Sequence, residues 1–165
     1  MKTILLILGL MISICITAQE HHHARNEIGI SPGVTYSPSH HNWGFGIHAH
    51  YFRTLGDHSP WSFGGGLEQV YAHGSHWTMS IGSKYEILDK LNLAVMPGIT
   101  FFVRNHEHDH EKSHEHSKKA QFSIHFEIAY DLIHLEHFHL GPSIDYSWSK
   151  HDNHFSLGVH CAYGF

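Results

Sequence analysis

The sequence predicts an all-β fold, an eight-stranded antiparallel up-and-down barrel that crosses a membrane, and three observations predict it. Apolar residues alternate with polar or very small ones from Asn26 to the last residue, and the alternation is renewed eight times after short breaks. That is the period of strands, not of helices. All seven tyrosines and all four tryptophans fall on the apolar parity, most of them near segment ends. The opposite parity carries Glu68, Lys84, Glu86, Arg104, Glu127, Asp145 and many glycines.

The first segment sets Ile28, Ile30, Val34 and Tyr36 against Glu27, Gly29, Ser31 and Thr35. The second sets Trp43, Phe45, Ile47, Ala49 and Tyr51 against Gly44, Gly46, His48 and His50. Trp61, Phe63, Leu67 and Tyr71 mark the third, and Trp77, Met79, Ile81, Tyr85 and Ile87 the fourth. Leu93, Val95, Ile99, Phe101 and Val103 mark the fifth. The sixth alternates most cleanly, Phe122, Ile124, Phe126, Ile128, Tyr130 and Leu132 against Gln121, Ser123, His125, Glu127 and Asp131. The last two carry Phe138, Leu140, Ile144, Tyr146 and Trp148, then Phe155, Leu157, Val159, Cys161, Tyr163 and Phe165.

Alternation alone fits a soluble barrel with its apolar face inside or a membrane barrel with that face outside. Aromatic placement favours the second, because rings at strand ends bury their bodies in lipid and turn their polar tips to the headgroups. Charged and tiny residues suit a narrow polar interior. Phe52, Val70, Met96 and Phe102 fall on the polar parity and Pro32, Pro97 and Pro142 lie within strands on the apolar one. Bulges or register shifts are expected to absorb them.

Residues 1–18 read as a secretory leader: Lys2, the apolar run ILLILGLMISICI, then Thr17-Ala18, with cleavage expected after Ala18. The run is too short to span a bilayer as a helix. Cys15 follows Ile14, where lipoprotein processing sites carry a small residue, so lipidation is not expected. Cys161 is then the sole cysteine, and residues 19–165 form one domain without an internal disulfide. The formal net charge of −5 and the lack of a basic stripe exclude nucleic-acid binding.

Leader, alternating strands of about ten residues and the ending VHCAYGF resemble the small eight-stranded outer-membrane barrels of the OmpA/OmpX kind. The resemblance covers nearly all of residues 19–165. It implies location in the outer membrane of a Gram-negative cell, contact with outer-membrane lipid, a monomer, and recognition of Phe165 by the insertion machinery. It also implies termini on the periplasmic side, so that connections after odd segments face outward.

Histidine is the compositional outlier, at 22 residues. Eleven of these fall in the four outer connections: His40 and His41; His73 and His76; His106, His108, His110, His114 and His116; His151 and His154. A narrow barrel brings its loop bases within about 10–15 Å of one another. In an extended loop His106, His108 and His110 project to one side about 6.5 Å apart, with Glu107, Asp109 and Glu111 on the other. Imidazole is a good ligand for zinc, copper or nickel, and neighbouring carboxylates can ligate or orient the rings. The lack of fixed four-ligand spacing points to a flexible, buffering site, with delivery to a metal transporter as its natural partner reaction.

Histidines at all four rim positions, with the triplet His21 to His23, argue against chance enrichment; a second set, His48, His50, His125, His139 and His160, shares the inward parity with Glu68, Glu86, Glu127 and Asp145. Hydrogen-bonded packing of imidazoles on carboxylates is the expected state of these inward rings, ahead of a lumenal metal path. Two other functions are weighed: a structural or adhesive barrel with acid-responsive loops, and a lipid A-modifying enzyme using His154 and Ser156 with Asp152 or Asp145. Parity turns His154 and Ser156 inward and no Gly-x-Ser-x-Gly elbow exists, so no enzymatic activity is expected.

Overall fold

The computed structural model describes residues 24–56, 59–72, 75–102, 120–150 and 152–165, and the expected leader lies outside them. The described residues form nine strands and no helix: β1 (Asn26–Ser37), β2 (Asn42–Thr54), β3 (Trp61–Tyr71), β4 (His76–Leu88), β5 (Leu91–Phe102), β6 (Ala120–Tyr130), β7 (Ile133–Leu135), β8 (Phe138–Ser149) and β9 (Asn153–Gly164). All pairings are antiparallel. β6 and β7 are two parts of one stave interrupted at Asp131 and Leu132: β6 pairs with β5 on one side, and both pair with β8 on the other. Pairing of β1 with β9, from Glu27↔Gly164 to Tyr36↔Phe155, closes the sheet into a cylinder of eight staves. The expected eight-stranded antiparallel barrel is the observed fold.

The closing seam is secured at the C-terminus. Asn26 donates its backbone N–H to Phe165 O at 2.9 Å, Phe165 returns the bond to Asn26 O at 2.8 Å, and the Asn26 side chain adds a third at 3.1 Å. The first and last described residues, Ala24 and Phe165, lie at one end of the cylinder, the terminal end. The β1–β2, β3–β4, β5–β6 and β8–β9 connections leave from the other, the far mouth.

Polarity is inverted relative to a soluble protein. Ile81, Trp43 and Leu157 are 74%, 68% and 65% exposed, while Thr35, Ser123 and Ser143 are buried to 1% or less. Such an exterior is stable only against acyl chains, so this is a transmembrane barrel. Aromatic pairs mark both girdles: Tyr36 on Trp43 at the far mouth, ring centroids 4.8 Å apart, and Trp61 on Tyr85 toward the terminal end, 4.6 Å apart.

The residues that broke the pattern do so for a reason other than bulging. Phe52, Val70 and Met96 point inward and are buried, and Phe102 places its ring 5.4 Å from that of buried His76. Strand pairing runs through them without slippage, and the one register shift among the described pairings lies between Glu86 and Leu88. Phe52, Ala94 and Met96 form a small apolar wedge inside the barrel. Pairing is interrupted beside Pro32 and Pro97, again without change of register, because a proline has no N–H to give the ladder.

An Ile81→Arg substitution is expected to destabilise the barrel by about 2–4 kcal/mol, since Ile81 sits at mid-strand on the lipid face. Denaturant titration of folding into phosphatidylcholine vesicles measures it. On a water-facing surface the same change would stay within about 0.5 kcal/mol.

Candidate metal centres in the barrel lumen

Strand period and register assemble the lumen. His48 and His50 are two apart on β2, and His125 and Glu127 two apart on β6, so each pair shares the inward face. Register sets Glu68 of β3 beside His48 and Asp145 of β8 beside Glu127. Closure of the cylinder then carries the β2–β3 pair across to meet β6, β8 and β9.

Four donor groups result, each with ligand atoms within 4.8 Å of one another: Glu68, His76 and His154; His48, His125, Glu127 and Asp145; Glu27, His50 and His160; Asp131, His134 and His139. The first lies at the far mouth, where Asp152 adds an oxygen 3.6 Å from His76 Nδ1 and 4.0 Å from His154 Nδ1. Glu68 Oε1 stands 3.0 Å from His154 Nε2 and 3.6 Å from His125 Nδ1, which links the mouth to the centre. Glu127 Oε2 stands 3.0 Å from His48 Nδ1 and 3.8 Å from His50 Nδ1, which links the centre to the third group. Asp131 reaches His160 at 3.9 Å and His139 at 3.1 Å, which links the third to the fourth.

Imidazoles, rather than lysine or arginine, face Glu68, Glu127 and Asp145 among the described ion pairs. Lys84 is committed elsewhere, to Glu27, with Nζ 2.6 Å from both carboxylate oxygens. A buried carboxylate is tolerated only when a cation or several donors meet it. Here imidazole nitrogens stand where such a partner is required.

Hydrogen bonding accounts for only some of these rings. His48 bonds Glu127, His154 bonds Glu68 and His139 bonds Asp131. His50, His125 and His160 make no hydrogen bond through either nitrogen, although carboxylate oxygens stand 3.4–3.9 Å away. Satisfied packing therefore describes part of the inward set, and the remainder presents buried donors with unused capacity. Glycines make room for the rings: a Cβ at Gly66 would strike His48, and one at Gly29 would meet His50 Cε1 at 2.7 Å and His160 Nε2 at 3.1 Å.

Of the eleven rim histidines expected to ligate metal, the structure brings His76 and His154 together, with ring centroids 5.1 Å apart, inside the mouth rather than in the loops. His40 and His41 are exposed in the β1–β2 turn, His41 with φ of 48°, and join no donor group. His73, His106, His108, His110, His114, His116 and His151 lie outside the described residues. Glu27, Asp131 and His134 enter donor groups that rim position did not suggest, and inward parity was the signal that marked Glu27 and Asp131. Glu86 joins none of the four groups. Ser156, weighed as a nucleophile, bonds Thr35 Oγ1 at 2.8 Å, while His154 is engaged with Glu68.

Neither a protein-family model nor a curated protein matches the chain. Solved structures do. Ail, the attachment invasion locus protein of Yersinia pestis, superposes with a TM-score of 0.53 at 12% identity, over 88% of this chain and 99% of that one. A designed transmembrane β-barrel gives 0.52 at 11% identity, over 89% and 98%. The N-terminal β-barrel domain of Pseudomonas aeruginosa OprF gives 0.50 at 12% identity, over 86% and 99%. The chain therefore has the fold of the small outer-membrane barrels.

A Gly66→Ala substitution is expected to push His48 off its place and cost about 1–3 kcal/mol, the usual penalty of overpacking. The same folding titration reads it. An unchanged midpoint would mean that the ring has room it does not show.

Proposed function

We propose that this chain is a non-enzymatic protein of the Gram-negative outer membrane that captures divalent transition-metal ions at its outward mouth. The observation that carries this reading is the cluster of Glu68, His76 and His154, with Asp152 beside it, buried where the β3–β4 and β8–β9 connections meet the lumen. Two imidazoles and two carboxylates, Glu68 from β3, His76 from β4, His154 from β9 and Asp152 just before it, form a borderline donor set of the kind zinc, copper and nickel accept. The histidine run between residues 106 and 116, borne by the connection from β5 to β6, supplies additional ligands and raises the local metal concentration at the same mouth. Delivery to a separate metal transporter completes the role. The lipid-facing exterior supports residence in outer-membrane lipid, reached through its insertion machinery.

Refolded protein titrated calorimetrically with zinc, copper and nickel tests the reading. Wild type is expected to bind several ions at micromolar concentration. Deletion of residues 106–116 removes part of the stoichiometry, and His76→Asn with His154→Asn removes a further ion. Asp152→Asn, which disturbs the orientation of both rings, is expected to weaken that mouth ion about 10- to 100-fold. No binding by the wild type at micromolar metal would overturn the proposal.

A further inference from the structure

The mid-lumen group has donors of the same types as the mouth and lies further along the lumen from the far connections. His48, His125, Glu127 and Asp145 are each no more than 4% exposed. They come from three staves: His48 from β2, His125 and Glu127 from β6, Asp145 from β8. We infer that they form a buried four-ligand site for a single divalent transition-metal ion, separate from the mouth and filled through it. The inference rests on the metal-capturing reading for its supply of ions.

One edge of the group already has the dimension of coordination, and a second, now a hydrogen bond, would open by a few tenths of an ångström. His48 Nδ1 and Glu127 Oε2 are 3.0 Å apart, and His125 Nε2 and Asp145 Oδ1 are 3.4 Å apart. A tetrahedral ion with metal–ligand bonds of about 2.0–2.1 Å separates its ligands by roughly 3.3–3.4 Å. The imidazoles of His48 and His125 are neighbours across the lumen, centroids 4.4 Å apart and tilted by 45°. His125 Nε2 and Asp145 Oδ1 have no hydrogen-bond partner despite full burial, so an ion between them would satisfy atoms that nothing else satisfies.

Surrounding groups support these ligands. Glu68 stands 3.6 Å from His125 Nδ1, on the side of the ring away from Asp145, where a carboxylate fixes the orientation of a ligating imidazole. Ser31 donates to Glu127 Oε1 at 3.3 Å, which leaves Oε2 directed at His48. The absent Cβ of Gly66 gives the far side of the His48 ring its space.

Charge selects the ion and fixes how deep it goes. Two carboxylates and two neutral imidazoles around a divalent cation sum to zero, the state a water-poor interior favours. A monovalent cation leaves the site anionic. The next group along the lumen, Glu27 with His50 and His160, is already met by Lys84, so a second divalent ion there would face an ammonium. The apolar Phe52, Ala94 and Met96 wedge packs beside it, with the Phe52 ring 5.2 Å from that of His50, and offers an ion no ligand. The centre is thus the deepest position open to the metal, and the barrel holds the ion instead of conducting it.

Cobalt(II) is the probe, because tetrahedral coordination gives it strong visible absorption. A barrel lacking residues 106–116 and carrying His76→Asn and His154→Asn is expected to keep one tetrahedral cobalt per chain. Adding His48→Gln or Asp145→Asn to that background should weaken it at least 100-fold. In wild type, a chase with EDTA should resolve a fast phase from the mouth and loops and a slow phase, at least tenfold slower, from the centre. Loss of all cobalt binding in the mouth-deficient barrel, or a single fast phase in wild type, would overturn the central site and leave mouth capture standing. Absence of binding by wild type would remove the mouth reading itself. The chase needs no variant, so it decides the matter even where a lumenal substitution fails to fold.

Discussion

Backbone satisfaction in lipid is the constraint from which the other features follow. No water in the hydrocarbon layer can meet an exposed N–H or C=O, so a sheet survives there only if its last strand pairs with its first. The β1–β9 ladder and the Asn26–Phe165 bonds provide that closure. Once the cylinder is shut, alternation leaves a side chain two destinations, acyl chains or lumen. Most polar side chains of the staves are therefore drawn into one narrow column.

Crowding in that column explains the unusual composition. Carboxylates brought inside must be compensated, and imidazole is the group that does so within the width available: it is flat, carries a donor or acceptor at each nitrogen, and serves neutral or charged. Glycines on the adjoining staves supply the room, as Gly66 does for His48 and Gly29 for His50. The result is four imidazole–carboxylate groups linked by Glu68, Glu127 and Asp131. Rings and carboxylates arranged to neutralise one another are also arranged to take a divalent cation. Stability and metal chemistry thus draw on the same residues.

Much of the fold was legible because each stave carries its own period. The sixth, from Gln121 to Leu132, could be assigned inward and outward residue by residue, and the tyrosines and tryptophans fixed which face meets lipid. Phe52, Val70 and Met96 were misattributed to bulges because a local pattern records facing only on average, and a filled lumen takes a few apolar groups wherever two staves leave a gap. The site was legible in part. Parity placed His48, His125, Glu127 and Asp145 in the lumen, but not in contact. His48 and His125 are far apart in sequence, and their meeting depends on how the whole sheet is staggered when it closes, a property that belongs to no single segment. Rim position suggested His76 and His154 as loop ligands. The structure instead seats both inside the mouth, because β4 and β9 begin at or before them.

Tryptophan quenching in bilayers tests the inverted polarity most directly. Trp43, Trp61, Trp77 and Trp148 all lie on the outward face, between 42% and 68% exposed. Their emission should be quenched by phosphatidylcholine brominated along its acyl chains, more strongly by bromines near the headgroups than by bromines at the chain ends, with aqueous iodide having little effect. Strong quenching by iodide together with none by brominated lipid would show that these rings meet water, and would contradict the account at its base.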